Sequence, residues 1–215
     1  LTSFALAAAA LGGFVLFLVV VARFSDVFCK GYGLDVAVSA LTWVPVVAFG
    51  AWGGWAAAAG AFVAQLVVLL LFCVVHGLLN PHKGPTIRRT LNRLVGSWRN
   101  YFGLFVTSIA LPVFFFIRAA EILVYPWLVW VLRFPAYPAS EWVNVSRHKF
   151  RGLVGHDLVW CLYCDWMTGV YSLGAEMLRN VESFWCPIRF YDGPKCANCQ
   201  VDFPDVKVWV PADGS

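Results

Sequence analysis

Residues 34–79 read LDVAVSALTWVPVVAFGAWGGWAAAAGAFVAQLVVLLLFCVVHGLL, a nearly unbroken apolar stretch of 46 positions. A helix of about 20 residues crosses a hydrocarbon core of about 30 Å. The stretch is therefore too long for one helix and the right length for two spans joined by a tight turn. The turn belongs near Gly50 to Gly54, where Trp52 and Trp55 flank paired glycines and anchor in the headgroup region. Gly50 with Gly54 and Ala56 with Gly60 have the small-xxx-small spacing that lets helix backbones approach closely in lipid. The expected use is packing of the second span on the third; a subunit contact is the alternative.

Upstream, Ala5 to Ala22 forms a first span, closed by Arg23 and Asp26. Downstream, Tyr101 to Phe134 would be about 51 Å long as one helix, too long for one span and too short for two. Pro112 and Pro126 offer kinks, and Arg118 and Glu121 lie one helical turn apart between them. One span to about Ile117 is expected, then a turn or kink, then an interfacial or re-entrant helix around Tyr125, Trp127 and Trp130. The transmembrane helices are thus placed at 5–22, 35–52, 56–78 and 101–117.

Between these, segment 82–99 sets Lys83, Arg88, Arg89, Arg93 and Arg99 among Ile87, Leu91, Leu94, Val95 and Trp98. That pattern predicts an amphipathic helix lying on an anionic leaflet. It assigns the loop to the cytoplasm, the start of the first span to the outside and the loop from Arg23 to Leu34 to the inside. The fold class is an all-α membrane protein of about four transmembrane helices plus the re-entrant or interfacial one. Residues 1–134 make the transmembrane domain and 135–215 a small, cysteine-rich extramembrane domain.

Composition agrees. Hydrophobic residues make up 60% and charged residues 13%, with a mean hydropathy of +0.72; a soluble domain carries about 25% charge. The net charge of +4 comes mainly from basic residues flanking apolar runs, the positive-inside pattern rather than a nucleic-acid surface. Arg147, Lys149 and Arg151 favour a cytoplasmic C-terminal domain. Richness in Ala, Val and Gly suggests a bacterial inner membrane, crossed several times. The chain opens at Leu1 without Met, and the natural N-terminus is expected upstream.

Five of the seven cysteines lie in the last third. Cys161-Leu-Tyr-Cys164 and Cys196-Ala-Asn-Cys199 are two C-x-x-C pairs, and two such pairs complete a tetrahedral four-thiolate set suited to zinc. Gly193, Pro194 and Asn198 make the second pair turn-like, whereas the first lies in a proline-free stretch, His156 to Glu182, that reads as a helix. Structural zinc is the expected cofactor. Disulfides, unligated thiols and an iron-sulfur cluster using Cys186 before Pro187 are the alternatives. His156 is a substitute ligand or an ordinary surface histidine. The tail beyond Pro187 is expected as loops with at most a short strand near Val206 to Val210.

Other constellations are weaker. His76 lies near a span end with Cys73 on the same helix face and His82 beyond it, which suggests copper or a quinone; an interfacial histidine with its tip in the headgroups is the plainer reading. No second intramembrane histidine accompanies it for haem. Glu176, Arg179 and Glu182 fall at helical spacing and read as a salt-bridged scaffold. Intramembrane ionisable groups for transport are sparse, with Gln65 the one strongly polar side chain near the centre of the first three spans. No P-loop, dinucleotide fingerprint, nucleophile elbow or H-E-x-x-H motif occurs. The expected function is a non-catalytic accessory or structural subunit of a larger, energy-transducing inner-membrane complex, with lipid and other membrane subunits as partners. An iron-sulfur electron-transfer subunit and a small transporter or channel are the competing classes.

Overall fold

The computed structural model describes residues 2–80, 84, 86–145 and 154–186. Among them the regular elements are helices, apart from one isolated antiparallel bridge between Lys30 and Asn144. Three helical stretches are long and apolar enough to cross a membrane: Thr2–Val21, Val44–Leu79 and Ser97–Leu132. In an open chain within lipid, helices alone pair every backbone N–H and C=O internally.

The described residues fall into two units, the first made of those within 2–109 and 139–169 and the second of 110–138 with 170–186. In the first unit, α1 (Thr2–Val21) packs on α3 (Val44–Leu79) through Ala7, Ala61 and Ala64, with Phe4, Ala8 and Phe49 around them. Three alanines at the seam bring the backbones close, the contact that lipid-embedded helices favour. Gly60 continues the seam, since a Cβ there would lie 3.6 Å from the backbone nitrogen of Phe4.

Helix α3 is broken at Gly54, whose φ of 71° and ψ of −167° fall in a region open essentially only to glycine. The chain doubles back there. A Cβ on Gly50 would sit 3.2 Å from that of Ala58, whereas eight residues of continuous helix are about 12 Å apart along the axis. Gly50 thus serves packing of one limb on the other, as the spacing suggested, and the turn falls within the expected Gly50 to Gly54. Trp52 and Trp55 flank it, both exposed.

The stretch expected as a single span over 35–52 is interrupted. Helix α2 (Gly31–Ala40) ends at a turn over 41–43, where Thr42 Oγ1 donates to the Val38 carbonyl at 2.6 Å, and Pro45 sits in the first turn of α3. A proline lacks the N–H that would join two helices into one, and is tolerated in a first turn. Helix α4 (Ile87–Val95) follows, capped by Thr86 Oγ1 accepting from Arg89 N at 3.4 Å. Asp157 Oδ2, from the start of α9 (His156–Trp185), accepts a second orphan donor, Ile87 N, at 2.9 Å.

The turn or kink expected after Ile117 lies elsewhere. Helix α6 (Leu111–Leu123) runs straight through that position; the breaks fall at Ala110, after α5 (Ser97–Ile109), and at Val124, before α7 (Tyr125–Leu132). Each break precedes a proline in the first turn of the next helix, Pro112 and Pro126. Helix α8 (Ala139–Trp142) is a single turn. In the second unit, Gly174 lets α9 approach α6, where a Cβ would meet the Ile117 side chain at 2.8 Å and Glu121 Oε1 at 3.0 Å. The rings of Phe184 and Trp185 pack on Phe134.

Candidate functional site

Cys161 and Cys164 stand on α9 three residues apart, within one continuous helix rather than a metal-knuckle turn. That spacing puts both thiols on one helix face. Cys161 is buried and its thiol donates to Asp165 Oδ2 at 3.5 Å; Cys164 is half-buried. Next along the helix, the fully buried Trp166 donates Nε1 to Asp35 Oδ1 at 2.8 Å. Tyr163 donates to the Leu41 carbonyl at 3.4 Å, and burial pushes its phenol well above the usual tyrosine range. Asp35, an acid inside an apolar stretch, is thus the anchor of α2 on α9. The sequence reading passed over it, although a lone carboxylate within residues 34–79 could have marked the position.

Cys196 and Cys199 lie outside the described residues, as does the strand expected near Val206 to Val210. Among the described residues, no group of three His, Cys, Asp or Glu side chains is placed to hold a metal ion. Cys186 directly follows the end of α9. His156 begins the helix, where burial first and the Arg88 charge second hold its imidazole below the usual histidine value, with Asp157 opposing them.

His76 does not simply hold its tip among headgroups. Its Nδ1 accepts the backbone N–H of Gly155 at 3.1 Å, which ties the end of α3 to the residue before α9. Gly155 has a φ of +56°, and a Cβ there would run into the Cys73 carbonyl. Only glycine suits both the left-handed backbone and the close approach.

Within the second unit, Arg118 Nη1 and Glu121 Oε2 form a 2.6 Å ion pair with side chains 5% and 3% exposed. A buried polar cluster neighbours it in sequence. Asn180, 2% exposed, donates Nδ2 to Tyr137 Oη at 2.7 Å and Tyr125 Oη at 3.3 Å, and the Tyr125 hydroxyl donates to the Pro135 carbonyl at 3.0 Å. Such groups stay in an apolar setting only when paired. Of the three charges expected on α9, Arg179 pairs with Glu176 at 2.9 Å on the surface.

A cavity lies in the first unit, at the C-terminal ends of α1 and α3. Its volume is about 1490 Å³, with Arg23, Asp26, His76 and Asn80 on a polar side and Leu18, Leu69 and Leu162 among its apolar walls. A second, almost wholly apolar groove of about 590 Å³ runs between α1 and α3. The two share Val15, Val19, Phe72, His76 and Leu79. Neither was visible in the sequence: the alternation of spans predicts that α1 and the second limb of α3 run in the same direction, but not that the two pack side by side.

No protein-family model, curated protein or solved structure matches the chain.

Proposed function

We propose that the chain is a non-catalytic accessory or structural subunit of a larger bacterial inner-membrane complex. The observation that supports this best is on α1. Opposite its alanine seam with α3, Ala5, Ala9 and Gly13 form a second small-residue row that is exposed, and a Cβ on Gly13 would meet nothing within 4 Å. Such a row gives a helix of another subunit the close backbone approach that drives association in lipid.

In this reading the two limbs of α3 cross the membrane separately, the shorter one extended by α2, which with α1 and the stretch over α5 and α6 makes about four spans. Helix α4 lies along the cytoplasmic leaflet. Its Arg88, Arg89 and Arg93 are exposed, and so are Ile87 and Leu94 on its apolar side, a surface that an anionic membrane face would cover. Cys161, Cys164, Cys196 and Cys199 hold a structural zinc that staples the C-terminal tail to α9 on the cytoplasmic side. The helical face shared by the first two thiols supports that role.

The test is the size of the assembly in its own membrane. Native membranes solubilised in mild detergent should yield the chain in a particle much larger than the isolated recombinant protein, and Ala9→Leu with Gly13→Leu should release it. Migration identical to that of the isolated chain would refute the proposal.

A further inference from the structure

We infer that the joined cavities at the ends of α1 and α3 bind one molecule of an anionic phospholipid, its phosphate beside Arg23 and His76 and its two acyl chains in the two grooves. The shape argues first. A cavity of about 1490 Å³ exceeds the range of about 300 to 1,000 Å³ typical of small-molecule sites. It also shares Val15, Val19, Phe72, His76 and Leu79 with the adjoining apolar groove, which Phe4, Leu16, Val67 and Leu71 line as well. Two adjoining spaces with apolar walls, one of them carrying polar groups, match a headgroup with two chains.

The mouth lies where a headgroup would be. Asn80 directly follows the end of α3 and Arg23 lies two residues beyond the end of α1, these being the two most apolar helical stretches. The charge argues next. Asp26 faces the mouth, but Lys30 Nζ holds Oδ2 of that carboxylate at 2.7 Å. Among the described residues Arg23 makes no ion pair, so a guanidinium with five fixed donors is available at the mouth. His76 adds a donor: with Nδ1 accepting from Gly155, the neutral ring carries its proton on Nε2. Cation and donor together suit phosphate oxygens.

The test uses the full chain in mild detergent, incubated with phosphatidylglycerol, with phosphatidylcholine of the same acyl chains, or with glycerol phosphate, and bound molecules counted by native mass spectrometry. One phosphatidylglycerol per chain should bind about fivefold more tightly than phosphatidylcholine, the scale of one basic residue against an anionic headgroup. Arg23→Gln, an exposed substitution beyond the end of α1, should abolish that preference, and Val19→Trp should remove binding of both lipids by filling the shared wall. Glycerol phosphate should not compete. Equal binding of the two lipids, an undiminished preference in Arg23→Gln, or competition by glycerol phosphate as strong as by the lipid would each overturn the inference.

Discussion

The imidazole of His76 accepts the backbone N–H of Gly155 at 3.1 Å across 79 positions of the chain. That bond, with the cap from Asp157 to Ile87 N, gathers the end of α3, the start of α4 and the start of α9 at one place. Gly155→Ala forces a side chain into left-handed backbone and against the Cys73 carbonyl, at a cost of about 1–3 kcal/mol for the backbone alone. Gly77→Ala, on the same helix end with nothing within 4 Å of its Cβ, should be neutral or slightly stabilising. Thermal unfolding in detergent checks both, and equal losses would contradict the assignment.

Arg118→Met alone should destabilise the chain by about 3–5 kcal/mol, because it leaves the Glu121 carboxylate buried beside an apolar group. Replacing both partners, Arg118→Met with Glu121→Leu, should cost less than the single change. A double-mutant cycle measured by equilibrium unfolding decides the point; additive losses would mean that the 2.6 Å pair contributes no coupling.

The lowered affinity of His156 for protons has a definite sign. Its imidazole is held down by burial and then by Arg88, so the unfolded chain takes up this proton first as pH falls below about 6.5. Stability is lost over that interval until the folded imidazole is protonated as well. The fall in melting temperature between about pH 7.5 and about pH 5.5 should therefore be smaller in His156→Gln than in the parent protein. Equal falls would remove His156 as a cause.

Elemental analysis of the purified chain should find one zinc per molecule, lost in Cys161→Ser and in Cys199→Ser. In the proposed reading zinc is the stronger staple for a tail rich in Pro, Gly and Asp, since structural zinc supplies about 10–16 kcal/mol in small peptides, against about 2–4 for a disulfide. A metal-free protein whose cysteines are linked in pairs would replace zinc by disulfides and move the domain to the oxidising side.

Helical character and the span-length stretches were legible in the sequence because they follow from local rules: apolar length, proline position and glycine at a reversal. Gly54 is the clearest instance, since no other residue adopts its backbone angles at low cost. The interruption at 41–43 was less legible, because a proline in a first turn and a proline inside a helix look alike in an apolar run. What depends on distant partners was not readable. Asp35 with Trp166, His76 with Gly155 and Asn180 with Tyr137 each join residues tens of positions apart. The cavity beside Arg23 lies where α1 and the second limb of α3, whose shared direction the alternation of spans predicts, come together with the start of α9.

That shared direction is the centre of the account, and it is open to a single measurement. Ser25→Cys and Asn80→Cys follow the C-terminal ends of α1 and α3, while Trp55→Cys lies at the reversal. In sealed membrane vesicles of known orientation, a membrane-impermeant maleimide should label the first two from one side and the third from the other, each above the unsubstituted background. Labelling of all three positions from the same side would contradict membrane crossing by α1 and the second limb of α3.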